Sequence, residues 1–230
     1  MWLKSKAFQK LGGGSLERFG IRMWSRLQVA SLRSRKDPEI VEMLWELQKE
    51  RRTLMTSFES YYVYALARAL SDRPGAFAEV GVYRGASAKL ICEVKGDKVL
   101  HLFDTFEGLP EPGVNDRGVH DKGQYACSVE SVKQYLEGYE NVHFHKGVFP
   151  ESTADVEETT YAFAHFDVDL YDGTYACLEY FYPRMIPGGV LLSHDYGLLA
   201  GVEKAFQEFF ADKPEGIIEQ PTTQCVVVKL

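Results

Sequence analysis

The stretch from Phe77 to Ser87, FAEVGVYRGAS, constrains the fold of this chain more than any other. The apolar run Phe77, Ala78, Val80, Val82 stops at a turn with glycines at 81 and 85, and the helix formers Ala86, Ala88, Lys89 and Leu90 follow. The order is therefore buried strand, glycine turn, helix N-terminus. Such a turn brings backbone close to a ligand, because Gly81 and Gly85 lack a Cβ and the first helical amides point outward. The turn reads ExGxxxG rather than the GxGxxG of dinucleotide binders, so Glu79 sets a carboxylate beside the ligand. A ligand carrying positive charge suits that arrangement, and a nicotinamide cofactor does not.

Elements alternate on either side of this unit. Asp37-Pro38-Glu39 opens a helix with Ile40, Met43, Leu44 and Leu47 on one face. A second helix starts at Thr56 or Ser57 and runs to about Leu70, with Phe58, Tyr61, Tyr62, Ala65, Leu66 and Ala69 expected inward. Strand 77–82, helix 86–94 and strand 98–103 make a right-handed βαβ unit. A helix capped by Ser128, strand 141–146, strand 161–167, a helix from near Gly173 capped by Asp172, strand 188–195, helix 201–210 and strands near 216–219 and the C-terminus complete an α/β pattern. Asp104 ends the second strand about 20 residues past the glycine turn, where a doubly wound fold uses an acid to hold ribose hydroxyls; a plain turn aspartate is the alternative. Thr105 to Cys127 is too long and too rich in Gly, Pro and charge for a simple connection, and reads as a substrate lid. His143 and His145 share one face of their strand without a third ligand in sequence, and no chemistry is assigned to them.

The chemistry is placed by two strand ends. In FAHFDVDLY, His165, Asp167 and Asp169 keep one parity, so both carboxylates face the same cleft if the strand geometry persists. GGVLLSHD brings Asp195 to another carboxyl end, where open α/β sheets bind their ligands. Asp167, Asp169 and Asp195 form an oxygen-rich set suited to Mg²⁺. His194 adds an imidazole, which suits Mn or Zn better and offers a general base.

ExGxxxGxS, VLHLFDTFEGLPEP (99–112), HFDVDLYDGT (165–174) and YPRMIPGGVLLSHDYG (182–197) together resemble the macrocin O-methyltransferase family, and more distantly catechol O-methyltransferase. The resemblance spans roughly Thr53 to Leu230. It implies a Rossmann-like class I methyltransferase fold, a doubly wound seven-stranded, mostly parallel sheet of order 3-2-1-4-5-7-6 with helices on both faces. It further implies S-adenosylmethionine as cofactor, a divalent metal (Mg or Mn), and a hydroxyl acceptor such as a sugar of a glycoside. Carried over by position, Glu79, Gly81, Tyr83, Gly85 and Ser87 hold the methionine part, Asp104, Thr105 and Phe106 the ribose side, and Val148 and Phe149 the adenine; Asp167 lies beside the methyl group. Asp167, Asp169 and Asp195 would hold the metal, and Asp167 or Asp169, or else His194, would take the acceptor's proton. Where the family has two consecutive acids before Tyr-Gly, this chain has His194-Asp195, a departure that leaves a metal-independent enzyme or a non-catalytic adaptor as rival readings.

Charge is distributed unevenly. Residues 1–36 carry nine Lys and Arg against Glu17 alone, a net +8, which leaves −15 on the remainder of a chain of net −7. Leu16, Phe19, Met23, Trp24 and Leu27 recur near helical spacing, so residues 15–35 read as a basic amphipathic helix. Its apolar stripe is expected to pack on the domain or in a homo-oligomer, an anionic membrane surface being the alternative; the acidic body argues against nucleic acid. Residues 1–52 thus form a helical arm and 53–230 the methyltransferase domain. MWLKSKAFQKLGGG does not read as a secretory signal, no apolar run is long enough to span a membrane, and Cys92, Cys127, Cys177 and Cys225 form no CxxC pair. A cytoplasmic protein with reduced cysteines is the expectation.

Overall fold

The computed structural model describes residues 15–50 and 52–230, with side chains from residue 19 onward. Seven strands, β1 (Ala76–Val80), β2 (Leu100–Asp104), β3 (Val142–Lys146), β4 (Tyr161–Phe166), β5 (Met185–Ser193), β6 (Ile218–Glu219) and β7 (Cys225–Val228), form one sheet of order β3-β2-β1-β4-β5-β7-β6. The first five are parallel, and β7 enters antiparallel between β5 and β6, the order the resemblance implied. β1 and β4 are buried at every residue because helices cover both faces, which is why their sequences run apolar without alternation. On one face Phe77, Leu102, Phe163 and Leu192 pack with α3 (Ser57–Ala69) and α4 (Ala86–Cys92). On the other, Val80, Phe103, Phe166 and Leu191 pack with α6 (Tyr171–Phe181) and α7 (Ala200–Phe209). α5 (Val129–Tyr135) precedes β3 and is capped by Ser128, whose side chain accepts from Ser131 N.

Two helices precede α3. α2 (Pro38–Lys49) starts as its sequence dictates, with the Asp37 side chain accepting from Glu39 N and Pro38 in the first turn. α3 begins with a capping box in which Thr56 and Glu59 satisfy each other's backbone amides. Its deepest face is Ser57, Glu59, Ser60, Val63 and Ala67 rather than the expected aromatic row, and Ala69 is exposed. Small residues meet the sheet side, while Phe58 and Tyr61 are half-buried at the edge of the core.

α1 (Ser15–Arg33) also differs from expectation. Ser25, Gln28, Val29 and Leu32 turn inward, while Phe19, Trp24 and Leu27, exposed to 64, 56 and 64 %, face outward with Met23. The described part of the apolar stripe therefore does not pack on the domain. Lys4, Lys6 and Lys10, and the side chain of Leu16, lie outside the described residues. Elsewhere, α6 starts at Tyr171, so Asp172 sits in its first turn instead of capping it. Asp116 of the lid does that work, its Oδ2 accepting from Tyr171 N at 2.9 Å. β5 ends at Ser193, leaving His194 and Asp195 in the turn beyond, with Asp195 in the left-handed region. The four cysteines are unpaired, and no described helix is long and apolar enough to cross a membrane.

Candidate active site

The carboxyl ends of β1, β2, β4 and β5 open into a cavity of about 1110 Å³. A single small ligand fills roughly 300–1,000 Å³, so a cofactor and an acceptor fit together. One side is made by the glycine turn. Gly81 has φ +85°, and a Cβ there would lie 1.9 Å from the Asp167 carbonyl oxygen. Its missing side chain makes room for the end of β4, not for a ligand. Gly85 likewise gives way to Val132 and does not reach the cavity wall. Gly81, Tyr83 and Ser87 do line it.

Asp104 Oδ2 accepts from Val82 N at 2.7 Å and Tyr83 N at 2.9 Å, and Oδ1 accepts from Phe106 N at 2.6 Å. The carboxylate thus braces the glycine turn and also faces the cavity. A carboxylate offers about four acceptor positions; three are filled by these amides, and the fourth is approached only by Thr105 Oγ1 at 3.5 Å, a hydroxyl that donates to Gly108 O at 2.6 Å. Thr105, Val148 and Phe149 line the same side, Phe149 stacking on Phe181 at 5.6 Å between ring centroids.

Two expected contacts are overturned along with Gly85. Glu79 is fully buried in β1, its Oε1 2.8 Å from His165 Nδ1 on β4, and it does not reach the cavity. Strand register places the two directly opposite under α3, so the carboxylate serves a buried pair. Phe106, with φ +54°, turns into the core near Phe144. His143 is exposed, and His145 is fixed between His101 and Asp155, each at 3.0 Å.

The other side of the cavity carries the ionisable cluster. Asp167, His194 and Asp195 present one ligand atom each, all within 4.8 Å of one another. Nδ1 of His194 is the nitrogen turned to them, 3.0 Å from Asp195 Oδ2 and 3.4 Å from Asp167 Oδ1. Its Nε2 faces Glu59 Oε2 at 3.6 Å, and neither ring nitrogen makes an aligned hydrogen bond among the described residues. Asp169 lies outside this group of three. The chain leaves β4 at Phe166 and Asp169 is left-handed, φ +60°, so strand parity lapses, yet its carboxyl still lines the cavity and meets Asp195.

Burial pushes the Asp167 carboxyl above the usual carboxylate range, with the Asp195 charge adding to it and His194 opposing it. Asp169 rises further, through burial and then the charges of Asp195 and Asp167. For His194, burial acts to lower the pKa, but Asp195 and Asp167 reverse it and hold the imidazole well above its ordinary value. Three aspartates and Glu59 around one imidazole leave an excess of negative charge that calls for positive charge. The donor set fits a divalent ion, the nitrogen favouring Mn over Mg, and the same field suits a positively charged sulfur.

Sequence reasoning passed over part of the wall. Glu59, Arg52 and Thr223, and His120 and Tyr125 of the lid, line the cavity, as does Ile21 of the arm. The T-x-x-E pattern at Thr56–Glu59 was a legible signal, but of a helix cap rather than of a site.

The protein resembles known O-methyltransferases. It is 31 % identical over 152 residues to the 8-demethyl-8-(2,3-dimethoxy-α-L-rhamnosyl)-tetracenomycin-C 4′-O-methyltransferase of Streptomyces olivaceus, a match covering 59 % of this chain and 58 % of the relative. Against the demethyldecarbamoylnovobiocin O-methyltransferase of Streptomyces niveus it is 29 % identical over 154 residues, 60 % of this chain and 59 % of the relative. The chain thus spans under two thirds of the length of these curated relatives. The solved structure of the O-methyltransferase NovP superposes with a TM-score of 0.70 at 23 % identity, covering 77 % of this chain and 82 % of that one, a likeness of fold. The family model for macrocin-O-methyltransferase (TylF) matches residues 63–225, from within α3 to the start of β7, and the chain belongs to that family.

Proposed function

We propose that the protein is an S-adenosylmethionine-dependent O-methyltransferase acting on a sugar hydroxyl of a glycoside, with a divalent cation, Mg or Mn, held by Asp167, His194 Nδ1 and Asp195. The observation that carries this reading is the convergence of those three side chains opposite the glycine turn in one cavity. The relative from Streptomyces olivaceus is named for 4′-O-methylation of a rhamnosyl compound, which puts a sugar first among acceptors.

Bound at this site, the cofactor supplies an activated methyl group and the cation lowers the pKa of an oxygen it holds. The chain's own groups do the rest. Backbone of the Gly81–Ser87 turn and the cavity-facing carboxylate of Asp104 hold the cofactor, and Phe149 and Val148 flank its base. Asp167, which lines the cavity where β4 ends against the glycine turn, takes the acceptor's proton. Asp169 lines the cavity too, but its carboxyl is engaged with Asp195. The lid, through Leu109, His120 and Tyr125, closes the acceptor side, and further acceleration comes from positioning.

The test is methyl transfer to a panel of rhamnosylated acceptors, followed by mass spectrometry, with and without excess chelator. Chelation is expected to abolish transfer while leaving cofactor affinity unchanged, and Mn²⁺ to restore it better than Mg²⁺. Full activity in chelator removes the cation and leaves Asp167 as a simple general base. Cofactor binding without transfer to any glycoside removes the sugar acceptor.

A further inference from the structure

The Nε2 side of His194 is occupied by a group from the far side of the fold. Glu59 comes from the first turn of α3, is 4 % exposed, and lines the cavity. Both its oxygens are fixed from below. Oε2 accepts from Thr56 N at 2.7 Å and Thr56 Oγ1 at 2.8 Å, and Oε1 accepts from Thr223 Oγ1 at 2.7 Å and Thr223 N at 3.2 Å. A helix cap requires only the Thr56 bonds. The remaining reach of the carboxylate, over to the loop before β7 and to within 3.6 Å of His194 Nε2, is in excess of that need.

We propose that Glu59 is a positioning residue for methyl transfer: it takes the Nε2 side of His194, so that Nδ1 is the nitrogen turned to Asp167 and Asp195. The inference rests on the reading of those three residues as the cation- and acceptor-holding group. A metal-bound imidazole is oriented by an acceptor on its other nitrogen, and removing that acceptor costs roughly 10–100-fold in metal affinity or activity. Glu59 is the one described carboxylate placed on that side of the ring. The ring needs an outer partner that a carboxylate ligand would not, and the cap of α3 provides it.

Glu59→Gln removes the charge that faces Nε2 and leaves one oxygen for the capping box, at the cost of an NH₂ where Oε1 accepts from Thr223. Three readouts apply to the full-length variant: Mn²⁺ affinity by calorimetry, kcat and KM for the acceptor, and the orientation of the His194 ring in a crystal structure. The expected result is a loss of roughly 10–100-fold in Mn²⁺ affinity and in kcat, with acceptor KM and S-adenosylhomocysteine affinity held and the ring rotated. Wild-type Mn²⁺ affinity, kcat and ring orientation in the variant would overturn the proposal, whatever its melting temperature. If the wild-type protein instead transfers methyl in excess chelator, the cation reading fails by itself, and kcat with ring orientation decides for or against Glu59. If no acceptor is turned over, ring orientation and Mn²⁺ affinity decide.

Discussion

The two sides of the cavity are built by different means. On the side proposed for the cofactor the wall is backbone: the turn between β1 and α4, braced by Asp104 from the neighbouring strand, with Gly81 pressed against the end of β4. On the side proposed for the acceptor the wall is side chains that arrive from α1, α3, the lid, the β5 turn and the loop before β7. The first is a local consequence of the fold and tolerates little change. The second depends on long-range convergence, and there Nε2 of His194 is faced by a residue 135 positions away, Glu59.

The comparison breaks most sharply at Asp167, which belongs to both sides. Asp167→Asn is expected to lower kcat by about 10²–10⁴-fold, the range for a general base, with cofactor affinity retained; steady-state kinetics and calorimetry check both. In the cation-free protein the Asp167 carboxyl should titrate above the ordinary carboxylate range, because burial raises it, and a bound divalent cation should bring it down again. Titration of the side chain by NMR, with and without Mg²⁺ free of Mn²⁺, checks both, and an Asp167 signal at the usual carboxylate position in the cation-free protein would contradict the burial of its charge.

Gly81→Ala tests the backbone side. The new Cβ meets the Asp167 carbonyl at 1.9 Å, at a φ that L residues avoid, so a cost of about 3 kcal/mol or more follows. Chemical denaturation should register it together with loss of cofactor binding. Gly85→Ala, off the wall but also strained, should destabilise without altering affinity in the folded fraction.

Asp104→Ala is a finer probe. If one acceptor position serves the cofactor, affinity falls by about 1.5–3 kcal/mol, the range for hydrogen bonds to a charged group. Because the same carboxylate holds Val82 N, Tyr83 N and Phe106 N, the melting temperature should fall as well. A lower melting temperature with unchanged affinity would assign Asp104 to the turn alone.

These tests follow the line between what sequence reasoning reached and what it did not. Strand order came only through the family resemblance, whereas the glycine turn, the caps at Asp37 and Ser128 and the meeting of Asp167 with Asp195 were legible, because each depends on local pattern or on the known ends of parallel strands. Glu79 was misplaced because a carboxylate at a strand end looks the same whether it faces a ligand or a buried histidine, and only the register with His165 separates the two. Asp169 does line the cavity with Asp167, but not through strand parity, because β4 stops at Phe166. Glu59 and Thr223 were invisible as a pair, since their hydrogen bond joins α3 to the loop before β7 across 164 positions.

The arm gives the smallest effect and the sharpest boundary between the two sides. Gln28 Oε1 accepts from Phe58 N at 3.0 Å and Ser25 Oγ accepts from Ser57 N at 3.2 Å, so α1 satisfies amides in the first turn of α3 that no intrahelical carbonyl can reach. Gln28→Ala should therefore cost about 1 kcal/mol, as removal of a cap does, and lower the melting temperature by roughly 2–4 °C in a domain of this size. Cofactor affinity should not change, because the glycine turn and Asp104 make no contact with that bond. Since Glu59 stands in the same turn of α3, kcat should fall slightly, in the direction of Glu59→Gln. Deletion of residues 1–36 removes both bonds and Ile21 from the wall, so it should enlarge both effects and still leave cofactor affinity intact. If the deletion leaves melting temperature and kcat untouched, the arm is separable from the acceptor side, and the first turn of α3 holds Glu59 through the capping box and Thr223 alone.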